Sequence, residues 1–321
     1  ETFTFEDSTG VRLGDVAEMD TMVTVVDGSR FMEELETLES LQARNWHADP
    51  KDQRTISHLL CDQLEFANVI VLNKCDLMND NEKATVKGLI ARMNPTAKLI
   101  DSVYSNVPLE MVLGTGLFSM TEAEKHEGWL QEARIGEHTP ETEEYGIGSF
   151  TYRAIRPFLP NKFDNIMDDI LQKSQAPFDT SNIIRAKGFI WLANRPQSQG
   201  DFSLAGNHYS LNPGNPWWAE IDKSNWPDNL EKAIAPLWRE PYGDRQQEIV
   251  IIGQSLDREA ITKALDACLV PDESMEIGKE LWEKMVQDLG DPFQDVWDSV
   301  LWEESGSTHH HHDHHHEEKK D

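Results

Sequence analysis

Two clusters of side chains in this 321-residue chain have types and spacing suited to chemistry. The first is Asn73-Lys74-Cys75-Asp76, which follows four apolar residues, Val69 to Leu72. A carboxylate at Asp76 can accept two hydrogen bonds at once, from the ring N1–H and the exocyclic amine of guanine, a pair of donors that adenine does not offer. Asn73 can serve the other edge of the base and tie down neighbouring loops, and the stem of Lys74 can lie flat over the ring. Polar groups at the C-terminal end of a buried parallel strand sit where open α/β sheets bind ligands. The same four residues also fit the plainer role of a polar turn closing a strand.

The second cluster is the C-terminal run His309, His310, His311, His312, His314, His315 and His316, which holds seven of the 12 histidines. Neutral imidazole suits Zn²⁺, Ni²⁺ and Cu²⁺, and a run of them lets several rings meet one ion in many registers. Asp313, Glu317 and Glu318 add negative charge. Protonation releases such a metal as pH falls through about 6. The run also resembles a purification tag, but the interruption at Asp313 and the continuation Glu-Glu-Lys-Lys-Asp argue for a native tract that buffers or loads metal.

Other chemistry-bearing residues read more simply. Cys61 and Cys75 are expected to pack as small buried hydrophobes. His47 and His58 form a weak metal pair, and His208 reads as a satisfied or surface histidine in a strand of the second domain. Asp27, at the end of another apolar run, is as well suited to a structural role as to one beside a nucleotide. Trp191, Trp217, Trp218 and Trp226 are expected in the core of the second half, with an exposed pair as a possible client-binding face. The sequence presents no compelling Ser-His-Asp or Cys-His nucleophile arrangement.

The elements that must position these residues change character along the chain. Apolar runs at 21–27, 69–72 and 97–101 read as strands, with helices over the Leu59–Phe66 region and residues 81–93 between them. Continuous apolar strands alternating with helices predict a parallel sheet covered on both faces. A polar, Gly-containing stretch around 136–148 reads as a linker. Beyond it, strands are expected at 150–155, 182–192, 202–211, 217–221 and 247–252, with helices at 161–172 and 257–269, an α+β pattern. Residues 271–304 read as a helical extension, and 305–321 as a disordered His-rich tail.

With 29 basic and 58 acidic residues the formal net charge is −29, which excludes the basic footprint expected of a nucleic-acid or anionic-membrane binder. No apolar run reaches the roughly 18–20 residues of a membrane span. Three cysteines without CxxC spacing fit a reducing, cytoplasmic compartment rather than a disulfide framework.

The longer blocks carry a family resemblance. SHLLCDQLEFANVIVLNKCDL (57–77) and DTMVTVVDGSRF (20–31) resemble the nucleotide-binding segment of the CobW-type P-loop GTPases, a family of metallochaperones. GFIWLANRPQSQGDFSLAG (188–206), NPGNPWW (212–218), GDRQQEIVIIGQSLDREAITKALDACL (243–269) and DPFQDVW (291–297) resemble the CobW C-terminal domain. The resemblance implies a partial P-loop-type domain over 1–135, the linker at 136–148, and a CobW C-terminal α+β domain over 149–270. It implies binding of GTP with Mg²⁺, slow hydrolysis, and delivery of a metal, zinc above all, to a client protein. Asn73, Lys74 and Asp76 match the family's guanine-reading motif. The family's phosphate loop, GxxxxGK[ST], and its CxCC metal site have no match in these residues: the one Gly-Lys pair, Gly278-Lys279, is followed by Glu280. The expectation is therefore a chain that starts within a longer protein and is inactive as a GTPase alone. The alternative is a non-enzymatic metal-buffering or client-binding module that has lost GTPase activity.

Overall fold

The computed structural model describes residues 17–45, 54–119, 146–172, 182–227 and 230–298. The His-rich tail, His47 and the expected linker up to residue 145 lie outside the described residues.

The first half builds a three-stranded parallel sheet from β1 (Val23–Asp27), β2 (Val69–Asn73) and β3 (Lys98–Asp101), in the order β1-β2-β3. Val69 to Leu72 are almost fully buried, as expected for a central parallel strand covered on both faces. Among the described residues three helices accompany the sheet: α1 (Phe31–Glu36), α2 (Ile56–Glu65) and α3 (Asp80–Met93). Thr55 caps α2 by accepting from the His58 amide. Asn79 and Glu82 close a reciprocal capping box on α3, each bond 2.9 Å long. Asn94, which ends α3, is buried and fully used. Its amide nitrogen donates to the carbonyls of Leu64, Glu65 and Ala67, and its oxygen accepts from Thr96 and Ala97, joining the end of α2 to the start of β3.

The second half is an antiparallel sheet in the order β4-β8-β5-β6-β7. Its strands are β4 (Ile147–Ala154), β5 (Ile183–Ile190), β6 (Ser198–Ala205), β7 (His208–Pro216) and β8 (Gln247–Gln254). Helices α4 (Pro160–Gln172) and α6 (Arg258–Asp266) pack on one face through Phe163, Met167, Ile261 and Leu265. Between β7 and β8 lies the short helix α5 (Leu230–Ile234). A third cluster gathers Trp191, Trp217 and Trp282 with Val286 of the last helix.

Three expectations for this half are corrected. Residues 202–211 do not form one strand but the turn of a hairpin, because Gly206 takes φ +56 and reverses the chain. Residues 217–221 form a 3₁₀ turn at Trp218–Glu220 rather than a strand, since Asp244 captures the amides of Trp218 and Ala219 at 3.0 and 2.9 Å. The helical region after 271 is not continuous either. It splits into α7 (Asp272–Met275) and α8 (Lys279–Leu289), with Gly278 and Gly290 at positive φ on either side of α8.

The two sheets share a core. Ala205, Val250 and Ile252 of the antiparallel sheet pack with Val26, Phe31, Leu35, Leu64, Ile70 and Leu89. The seam also holds a buried ion cluster. Arg185, on β5, is 2 % exposed and donates through Nε and Nη2 to one oxygen of Glu65 at 2.9 and 2.6 Å, while Lys187 takes the other at 2.9 Å. Burial pushes the Glu65 carboxyl up, but Arg185 and Lys187 outweigh it and hold the group below its ordinary range. The β6–β7 turn seats on α1 beside this cluster. Asn207 donates to the Glu36 carbonyl at 2.9 Å, and any Cβ on Gly206 would collide with the Leu35 carbonyl.

His58 sits at the same seam, its Nδ1 2.9 Å from the Thr55 hydroxyl and its ring edge-on to His208 at 5.1 Å between centroids. Burial first, then Arg185 and His208, pushes its pKa down to about 4. The unfolded chain therefore binds a proton below about 6.5 that the folded one refuses. Stability is expected to fall as pH drops from about 6.5 towards 4, by on the order of 2–3 kcal/mol from this residue. Melting curves of the wild type and a His58→Asn variant across that window check it; an identical acid limb in both would contradict it.

Candidate guanine-binding site at the strand ends

Parallel pairing brings the carboxyl ends of the three strands to one edge, with Asp27 opposite Asn73 and Leu72 opposite Asp101. The Asn73 side chain reaches across to the loop after β3. Its amide nitrogen donates to the Ser105 hydroxyl and its oxygen accepts from the Ser105 amide, both at 2.9 Å. This bidentate clamp holds Tyr104 and Ser105 at φ +53 and +55, two successive non-glycine residues in the left-handed region. Such conformations cost of order 1 kcal/mol or more each and persist where neighbours over-determine them. Tyr104 is 91 % exposed.

Lys74 also adopts a left-handed conformation, φ 62, which turns the chain out of β2 into the 3₁₀ turn Cys75–Leu77. Its ammonium spans to the end of β1 and pairs with Asp27 at 2.7 Å. Burial pushes the Asp27 carboxyl up, yet the bonds from Lys74 and Ser29 prevail and hold it below the ordinary range. Gly28 explains how the strand ends come so close: a Cβ there would run into Met78 and Leu72. Asp76 is exposed and, among the described residues, its carboxylate has no hydrogen-bond partner. Each of the three strand ends thus contributes. β1 supplies Asp27, β2 supplies Asn73, Lys74 and Asp76, and the loop after β3 supplies Tyr104 and Ser105.

Asn73, Lys74 and Asp76 therefore share one edge of the sheet. Asn73 spends its amide on positioning a loop, the second of the two roles open to it, and the Lys74 stem bridges to Asp27. Ser105 and Tyr104 escaped the sequence reading: the stretch Asp101–Asn106 follows an apolar strand as Asn73–Asp76 does, but Val103 and Tyr104 interrupt its polar residues. Cys61 is completely buried and its thiol is pushed up to about 12, which fits packing rather than ligation. Cys75 is half-buried, with its thiol donating to the Leu72 carbonyl at 3.1 Å. Among the described residues no group of three or more His, Cys, Asp or Glu could hold a metal ion. Among them, too, no helix is long and apolar enough to cross a membrane.

A parallel sheet with polar groups gathered at its carboxyl edge, joined to an antiparallel α+β unit, defines a class in which a nucleotide-binding domain carries a second domain. Residues 2–101 match the CobW/HypB/UreG nucleotide-binding domain, and residues 147–269 match the cobalamin synthesis protein cobW C-terminal domain. The chain belongs to the CobW family.

It is 42 % identical, over 92 % of its length, to a Dictyostelium discoideum protein named zinc-regulated GTPase metalloprotein activator 1, and covers 60 % of that protein. It is 25 % identical, over 75 % of its length, to a Mycobacterium tuberculosis protein named as a zinc chaperone, and covers 56 % of it. The chain thus spans little more than half the length of these relatives. A crystal structure of Zn(II)-bound YjiA GTPase from E. coli aligns with 80 % of this chain and 64 % of that one, at 17 % identity and a TM-score of 0.31, too low to speak to the fold.

Proposed function

We propose that this chain is the base-reading and C-terminal portion of a GTP-dependent zinc chaperone that passes metal to a client protein in the cytoplasm. The observation that carries the reading is the exposed, unpartnered carboxylate of Asp76, set beside a locked Asn73 at the carboxyl edge of a parallel sheet. That arrangement fits guanine: Asp76 is free to accept from N1–H and the exocyclic amine, and the loop that Asn73 fixes carries Tyr104 and Ser105 at the same sheet edge. These residues bind and orient the base. GTP with Mg²⁺ would supply the phosphate chemistry, through groups other than those on this sheet edge. The relatives named for zinc and GTP support the same reading. His309, His310, His311, His312, His314, His315 and His316 are assigned to reversible zinc loading.

The second reading is a metal-buffering or client-binding module without GTPase activity. Amide spectra distinguish them. Guanosine diphosphate is expected to move the resonances of Asn73, Asp76 and Ser105, and adenosine diphosphate to leave them in place; no guanine-specific change would sink the first reading. For the tail, zinc titration by calorimetry of the full chain and of residues 1–308 should show lower stoichiometry in the shorter one. Equal stoichiometry would remove the tail as a site.

A further inference from the structure

The excursion between β7 and β8 carries a second arrangement that the nucleotide site does not use. Trp226 stands between two other half-buried tryptophans. Its ring centre is 6.3 Å from that of Trp218, at an interplanar angle of 72°, and 5.7 Å from that of Trp238, at 61°. These walls are fixed. The Trp226 indole donates to the Ile221 carbonyl at 3.0 Å, and the Trp238 indole to Glu240 at 2.9 Å. Gly243 lets the Trp238 ring lie against the backbone, and buried Asp244 holds the turn that bears Trp218.

The corner already contains a cation. The Lys223 ammonium lies 5.4 Å from the centre of Trp226 and 5.7 Å from that of Trp238, within the roughly 6 Å at which a ring attracts a cation. This occupant is loosely held. Its side chain is 68 % exposed, and its carboxylate neighbour, Glu231, is 3.8 Å away and still more exposed. An ion pair of that kind contributes little. Rigid aromatic walls around a weakly tethered ammonium are the features of a seat whose occupant can be exchanged. The −29 charge of the chain favours a cationic visitor over an anionic one.

We propose that the Trp226–Trp238 corner, flanked by Trp218, binds the alkylammonium of a lysine side chain, plain or methylated, presented by a partner protein, and that Lys223 is the built-in occupant it displaces. The proposal is independent of the nucleotide reading.

The test follows the indole N–H resonances of the full chain with three peptides: one carrying lysine, one trimethyl-lysine, and one the neutral carbon isostere of trimethyl-lysine. The expected result is that the trimethyl-lysine peptide moves the Trp226 and Trp238 signals. The lysine peptide should do so more weakly, because its ammonium is better hydrated, and the isostere more weakly still. Lys223→Ala should tighten binding about three- to tenfold by removing the internal competitor. Equal binding of the neutral isostere, or no tightening in Lys223→Ala, would overturn the proposal. So would unchanged binding by a Trp226→Leu variant that melts like the wild type. If Trp226→Leu does not fold, Trp238→Leu carries the same comparison.

Discussion

Arg185→Met is expected to destabilise the protein by about 3–4 kcal/mol, the largest single-residue loss in the seam between the two sheets. The substitution keeps the bulk of the side chain and removes its charge. It leaves Glu65 buried with only Lys187 to answer it, and strands the Ser203 hydroxyl and the Leu204 carbonyl that Arg185 also serves. A buried carboxylate that loses its main partner costs far more than the pair itself contributed, because desolvation is no longer offset. Glu65→Leu combined with Arg185→Met should therefore recover a large part of the loss. Chemical denaturation of the two single variants and the double variant gives the coupling directly. Strictly additive losses would show that Glu65 and Arg185 do not depend on one another.

The second large effect falls on recognition. Asp76→Asn is expected to weaken guanine nucleotide by about 10²–10³-fold, since two charge-assisted hydrogen bonds of roughly 1.5–3 kcal/mol each lose their acceptor. The amide would present a donor where guanine also has one, and xanthine, with an oxygen in place of the exocyclic amine, should bind the variant better than the wild type. The measurement is competition between guanine and xanthine nucleotides, made on the chain extended to the length of its relatives. Undiminished guanine affinity in Asp76→Asn would show that the base is read elsewhere. Because Asp76 is exposed and without an internal partner, stability should hardly change, which separates loss of recognition from loss of fold.

The legibility of these features in the sequence followed the range of the forces behind them. β2 was readable because a strand buried on both faces must be apolar throughout, and Val69–Leu72 is. β1 carries a similar apolar run but flanks β2 in the described sheet, where Val23 and Val25 are exposed rather than buried as the sequence suggests, and β3 is only partly buried. The end of α3 was readable because Asn94-Pro95 cannot continue a helix. What Asn94 does after stopping the helix was not, since its carbonyl partners at 64, 65 and 67 lie some 30 residues away. The β6–β7 turn was hidden because Gly206-Asn207 interrupts an alternation that reads smoothly from 202 to 211 on composition alone. At the site, Asn73, Lys74 and Asp76 were visible as a local motif. The Asp27 and Ser105 partners that give Lys74 and Asn73 their directions depend on strand order, which spacing along the chain does not carry. The tryptophans read from the sequence as core, with an exposed pair as the alternative, and Trp191 and Trp217 are core. Trp218 and Trp226 instead line a half-open corner with Trp238 and Lys223.

The turn at Gly206 has a mechanical corollary. Helix α1 is only six residues long, about 9 Å. It begins four residues after Asp27 and ends where the turn lodges against Leu35 and Glu36. One end of this short rod follows the turn that Asp27 caps, and the other bears on the second sheet. A displacement of Asp27 therefore has a short path, through the turn Gly28–Arg30 and α1, to the Gly206 turn. The same holds in reverse. A ligand that grips the second sheet and moves the turn changes affinity at the strand ends by the factor with which a ligand there changes its own.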